Sequence, residues 1–141
     1  MKPEKDLGFA RIDLDRQRRC GIPEVIYCPG KTAKQVLAIM KAIQKAGHDI
    51  LATRASREQY SIVRKSIPKA VYHETARAIT LDVRKRGTLH GLVAVVCAGT
   101  SDLPVAEEAA LTAERMGSKV VRVFDVGVAG LHRLVNRLDV L

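Results

Sequence analysis

Leu92-Val93-Ala94-Val95-Val96-Cys97-Ala98-Gly99-Thr100-Ser101-Asp102 is the stretch that decides the fold. A strand with one wet face alternates apolar and polar side chains. The unbroken run from Leu92 to Ala98 instead predicts a strand buried on both faces, as in a parallel sheet. Gly99 to Asp102 then reads as a turn, and a helix is expected from Leu103 to about Met116. Pro104 sits in its first turn, where a missing N–H costs nothing, and Glu107 and Glu108 complement the positive end of the helix dipole. Val105, Ala109, Thr112 and Met116 mark its expected sheet-facing stripe, and Gly117 ends it. Val120 to Phe124 is the next strand, Asp125 to Gly130 a second turn, and Leu131 to about Leu138 a second helix.

Working outward, the N-terminal half shows the same alternation of strand and helix. Residues 1–23 are polar and broken by Gly8, Gly21 and Pro23, which predicts irregular structure. Glu24 to Cys28 reads as a strand and Thr32 to Ala46 as a helix. In that helix Val36, Ile39, Met40 and Ile43 recur at helical spacing. Asp49 to Thr53 is a strand. Ser56 and Gln59 fit a capping box opening a helix to about Ser66. Ala70 to His73 and Ala78 to Leu81 predict two further strands. The charged run Arg84-Lys85-Arg86 marks a boundary. The reading is α/β: a small N-terminal α/β domain over residues 1–87, then the first βαβα part of a parallel sheet over 88–141. That second sheet is incomplete, because a doubly wound sheet needs about five strands and this part offers two.

The 141 residues carry 24 Lys and Arg against 15 Asp and Glu, a formal charge of +9. That balance points to an anionic partner such as a nucleotide, a phosphorylated metabolite or nucleic acid. Nucleic acid is not expected, because Trp is absent and Phe and Tyr are too few for a stacking platform. No stretch reaches the roughly 18 apolar residues of a membrane span. The start, Met1-Lys2-Pro3-Glu4-Lys5-Asp6, lacks a secretory core. A cytoplasmic protein without membrane association is expected. Cys20, Cys28 and Cys97 are too far apart for a metal knuckle or a disulfide framework. His48, His73 and His90 lie on different elements, so no metal is assigned.

The chemistry of the decisive stretch has two readings. Gly99, Thr100, Ser101 and Asp102 lie between a parallel strand and a helix, where glycine admits a ligand to the backbone and hydroxyls add donors for phosphate. Ser101 or Asp102 could equally be no more than the N-cap of the helix. The second turn should face the same edge and leads into His132, which titrates near neutrality, and Arg133, which can pair a phosphate bidentately. Gly30-Lys31-Thr32 looks like the end of a phosphate loop. The glycine that motif requires five residues earlier is Val25, so a Walker loop is excluded.

Blocks spread along the chain carry a resemblance. They are Phe9-Ala10-Arg11-Ile12-Asp13, Gly21 to Tyr27, Gly30-Lys31-Thr32, Thr53-Arg54-Ala55, Tyr72-His73-Glu74, Ala98 to Ala109 and Asp125 to Arg133. In this order they resemble the LarB family of nickel-pincer cofactor biosynthesis, the pyridinium biscarboxylic acid mononucleotide synthases. The second domain of that family is similar to PurE, the aminoimidazole ribonucleotide carboxylases and mutases, with a flavodoxin-like sheet. The resemblance implies a carboxylase and hydrolase acting on nicotinic acid adenine dinucleotide. Bicarbonate or carbon dioxide would be co-substrate, with no bound cofactor, and the protein would be a homo-oligomer. It places the nucleotide at Gly99, Thr100, Ser101, Asp102, His132 and Arg133. The PurE turn has serine where Gly99 stands, while Ser101 and Asp102 match, so the chain departs from the pattern of the mutase reaction there. The family's later glutamate and its attacking cysteine have no counterpart here, so an inactive fragment is expected and catalytic residues stay unassigned. A PurE-type enzyme of purine biosynthesis and a basic RNA-binding protein are the alternatives.

Overall fold

The structure is a computed structural model that describes residues 3–84 and 87–138. Met1 and Lys2, Lys85 and Arg86 of the boundary run, and residues 139–141 of the second expected domain lie outside the described residues. The chain divides into two compact units, residues 1–86 and 87–141. No described helix is long and apolar enough to cross a membrane.

The first unit opens with structure where none was expected. Strands β1 (Glu4–Asp6) and β2 (Arg11–Asp13) pair antiparallel, and α1 (Arg16–Cys20) follows. The reason is local polar chemistry that a hydrophobic pattern does not register. The Asp6 carboxylate accepts the Gly8 amide at 2.7 Å within the turn, where Gly8 has φ 82°. Asp15 accepts two hydrogen bonds from Arg18, each 2.8 Å, at the start of α1. That guanidinium holds the Asp15 carboxyl below the usual carboxylate range.

The remainder follows the expected alternation. β3 (Val25–Tyr27), α2 (Ala33–Lys45), β4 (Ile50–Thr53), α3 (Arg57–Ser66), β5 (Val71–His73) and β6 (Ala78–Leu81) form one sheet and two helices. The sheet order is β3-β4-β6-β5, parallel between β3 and β4 and antiparallel elsewhere. β4 and β6 are central and buried along their whole length. Val36, Met40 and Ile43 of α2 and Val63 of α3 meet Ile26, Ile50 and Ile79 of the sheet in one core. Both helices begin with capping boxes, Thr32 with Gln35 and Ser56 with Gln59.

The second unit is a strand, a helix and a parallel strand: β7 (His90–Val96), α4 (Leu103–Arg115) and β8 (Ser118–Val123), then a short α5 (Leu131–Val135). The fold is therefore α/β, with a mixed sheet in the first unit and a parallel pair in the second.

Three expectations about this unit are corrected. β7 is not buried on both faces: Leu92 is 64% exposed and Val96 48%. Among the described residues β7 pairs with β8 alone, and a two-stranded ribbon with one helix leaves a face bare. The buried stripe of α4 is Ala106, Ala110 and Leu111, whereas Val105 and Ala109 are exposed. Arg122 of β8 sets that phase by donating to Glu107 at 3.1 Å and to Glu114 at 2.6 Å, which turns these carboxylates toward the sheet. Finally, α5 stops at Val135 rather than near Leu138.

Candidate functional site

The two turns of the second unit lie together at the carboxyl ends of β7 and β8. Residues Val96 and Val123 are paired in register where the strands end. Beyond them the Val126 amide donates to the Cys97 carbonyl at 3.2 Å, and the Gly127 amide to that of Ala98 at 3.0 Å. Gly127 is small for a reason. A Cβ there would come within 3.0 Å of the Ala98 carbonyl oxygen, so a larger residue would push the turns apart.

The first turn is a short 3-10 turn over Thr100–Asp102 that runs directly into α4. Thr100, Ser101 and Asp102 are exposed and Gly99 is half-buried. The Asp102 carboxylate accepts the Gly99 amide at 3.0 Å, and the Asp102 amide donates back to the Gly99 carbonyl at 3.0 Å. Asp102 thus closes the turn on itself. That leaves the Thr100 and Ser101 hydroxyls on its outer side as donors toward solvent, and the Gly99 amide is already engaged.

Asp125 opens the second turn in a left-handed conformation, φ 60°, and its carboxylate accepts from Arg133 Nη1 at 2.9 Å. The Arg133 side chain crosses over Gly130, where a Cβ would meet its Nε at 2.7 Å. Arg133 is therefore parked on Asp125 in an exposed ion pair, worth at most about 1 kcal/mol. His132 is exposed on the first turn of α5. No hydrogen bond or ion pair among the described residues links Thr100, Ser101 or Asp102 to His132 or Arg133. The structure joins the turns through their backbones, not through these side chains.

Other residues singled out from sequence have structural partners. His73 Nε2 lies 2.8 Å from the buried Thr80 hydroxyl, and His48 Nδ1 lies 3.1 Å from Gln17 Oε1. Among the described residues no group of three His, Cys, Asp or Glu is arranged to hold a metal. Cys28 is fully buried, and burial pushes its thiol up to about 11 despite Lys31 nearby. Cys97 is buried beneath the first turn.

The first unit presents an edge that sequence reasoning did not single out as a site. At the carboxyl ends of the parallel strands β3 and β4, Arg54 and the Tyr27 ring come together, the guanidinium carbon 6.0 Å from the ring centroid. Arg54 and Arg77 both adopt left-handed backbone conformations, φ 51° and 47°. Non-glycine residues in that region leave no mark in a sequence. The only available signal was the presence of Tyr27 and Arg54 in the quoted blocks. Hollows of about 570 and 580 Å³ flank the N-terminal hairpin; of their charged walls, Asp13, Asp15, Arg18 and Arg19 are paired with one another, Arg11 pairs with Asp6 and Arg84 donates to the Gly47 carbonyl.

Comparison with known proteins places the chain. Residues 4–84 match the family described as the LarB/PurE-like N-terminal domain. The uncharacterized protein MJ0165 of Methanocaldococcus jannaschii is 35% identical over 134 residues, covering 91% of this chain and 52% of its own length. The chain thus spans about half the length of this curated relative.

Proposed function

The chain belongs to the LarB/PurE-like N-terminal domain family, and on that premise we propose that it is part of a carboxylase and hydrolase of nicotinic acid adenine dinucleotide. Bicarbonate or carbon dioxide is the co-substrate, no cofactor is bound, and the working protein is a homo-oligomer in the cytoplasm. The observation that carries this reading is the backbone join between the two turns, Val126 to Cys97 and Gly127 to Ala98. It brings Gly99 to Asp102 and the loop leading to His132 and Arg133 to the carboxyl ends of a parallel pair of strands, the edge at which open α/β sheets in general bind ligands.

The Thr100 and Ser101 hydroxyls hold phosphate oxygens, and Asp102 takes a ribose hydroxyl with the carboxylate oxygen it does not use on Gly99. Arg133 leaves Asp125 for phosphate, an exchange favoured because the exposed pair is weak and a bidentate phosphate contact is strong. His132, exposed on the same turn of α5, stands beside it as a further hydrogen-bonding group for the ligand. Gly99, where the mutases have serine, favours the dinucleotide over aminoimidazole ribonucleotide.

Asp102→Asn tests the site. Asparagine can still accept the Gly99 amide through its carbonyl oxygen, and the Asp102 side chain makes no capping hydrogen bond to α4, so the melting temperature should hold. Affinity for the dinucleotide should fall about tenfold, the size of one lost charge-assisted hydrogen bond. Calorimetric titration of both proteins decides, with aminoimidazole ribonucleotide and an RNA oligonucleotide as comparison ligands. Unchanged affinity reduces Asp102 to a residue that closes its own turn. Tighter binding of the ribonucleotide moves the assignment to purine biosynthesis, and a steep salt-dependent RNA affinity moves it away from enzymes.

A further inference from the structure

The carboxyl edge of β3 and β4 has features that the fold does not require. Tyr27 ends β3 and is 52% exposed, at the carboxyl end of a strand whose middle residue, Ile26, is buried. Opposite it in register is Thr53, and the next residue, Arg54, carries its guanidinium over that ring. Arg54 does so from a left-handed backbone at φ 51°, a conformation glycine would adopt without strain. The Ala55 amide then donates to the Arg77 carbonyl at 2.6 Å, which sets a second exposed, left-handed arginine beside the first. Lys31 adds a third cation, its Nζ held 2.6 Å from the Tyr27 carbonyl oxygen. The acidic Glu74 on the β5–β6 turn is engaged by Arg57 at 2.8 Å. At the helix starts nearby, the capping boxes already engage the amides of Thr32, Gln35, Ser56 and Gln59.

An exposed aromatic ring with the Arg54 guanidinium over it, Lys31 on its own backbone carbonyl and Arg77 on the adjoining loop suits a ligand with a flat base and a phosphate. The ring and guanidinium offer two stacking faces, and the cations draw the anion. The geometry points to a nucleotide-binding surface in the first unit, formed by Tyr27, Lys31, Arg54 and Arg77, which takes a nucleoside monophosphate or the equivalent half of a dinucleotide. This surface stands independently of the Gly99–Asp102 reading, since none of its residues belongs to the second unit.

The test is titration of the full chain with AMP, adenosine and inorganic phosphate, followed by NMR shifts or calorimetry. AMP is expected to bind more tightly than either fragment, because it uses both ring and cations. Arg54→Gly removes the guanidinium yet suits the left-handed backbone, so the melting temperature should hold or rise while AMP affinity falls about tenfold or more. Tyr27→Leu should weaken AMP but leave phosphate unchanged. Asp102→Asn should leave the AMP shifts of the Tyr27 and Arg54 signals intact, which separates failure here from failure of the other site. The inference is overturned if millimolar AMP gives no saturable shift at these residues. It is equally overturned if phosphate binds as well as AMP, or if Arg54→Gly retains wild-type affinity.

Discussion

Cys28 illustrates how burial decides the chemistry of a single residue. Its sulfur is sealed beneath the β3 edge, and the low-dielectric surroundings disfavour the thiolate enough to raise its pKa to about 11 from an ordinary 9.0. At neutral pH it should resist iodoacetamide, whereas the exposed Cys20 should be alkylated quickly. Mass spectrometry of the labelled native protein checks this, and fast labelling of Cys28 would contradict it. The same shift links stability to alkali. Between pH 9 and about 11 the unfolded thiol has lost its proton and the folded one has kept it. Stability therefore declines as pH rises through that window, by roughly 2 kcal/mol for a shift of this size. Cys28→Ala should flatten the decline in denaturant titrations, since the tyrosines and lysines are common to both proteins. Burial of Cys97 could be anticipated from the apolar run that it ends, but Cys28 precedes the turn at Pro29-Gly30, so its burial could not be anticipated from its neighbours. Nor could the left-handed backbones of Arg54, Arg77 and Asp125, because each is imposed by loop closure and not by the residue's own preference.

Helix ends are the most legible elements in this chain, because a cap is a contact between near neighbours. Ser56 and Gln59 announced α3 from spacing alone, and the structure forms both reciprocal bonds. Yet Gln59 also does what spacing cannot reveal. Its Nε2 donates to the carbonyls of Cys28 at 3.2 Å and Lys31 at 2.8 Å, tying α3 to the loop that follows β3. Ser56→Ala should therefore cost about 1 kcal/mol. Gln59→Ala should cost more, about 2 kcal/mol, because two carbonyls lose their donor as well as the cap. Paired urea melts decide this, and an equal or smaller loss for Gln59→Ala would mean that its long-range bonds contribute nothing net. The phase of α4 was misread for a related reason. Helical period was visible from Val105 to Met116, but its orientation depends on Arg122, which lies on another element and draws Glu107 and Glu114 inward.

For the molecule, the open question of force balance lies at β7. Leu92, Ala94 and Val96 share one face by strand alternation, and all three are exposed. An unbroken apolar run states what surroundings a strand would favour. It does not say that the strands meeting that demand are present, which is why the alternation of elements was readable and the burial of β7 was not. Covering Leu92 and Val96 would release roughly 2–4 kcal/mol per copy on area grounds, and the outer edge of β7 adds unpaired backbone groups. Against this stands a charge of +9, whose mutual repulsion at low ionic strength keeps copies apart. Salt screens that repulsion within about 8 Å at physiological strength but strengthens rather than weakens apolar association. The 141-residue chain is therefore expected to bind ANS and to self-associate more as salt is raised. Leu92→Lys with Val96→Thr should reduce both dye binding and association without lowering the melting temperature, since neither side chain belongs to a packed core. Sedimentation at low and high salt, read beside ANS fluorescence, gives the answer. A monomer at every salt concentration with no dye binding would show that this face is covered in solution, and an unchanged double variant would locate the adhesive surface elsewhere.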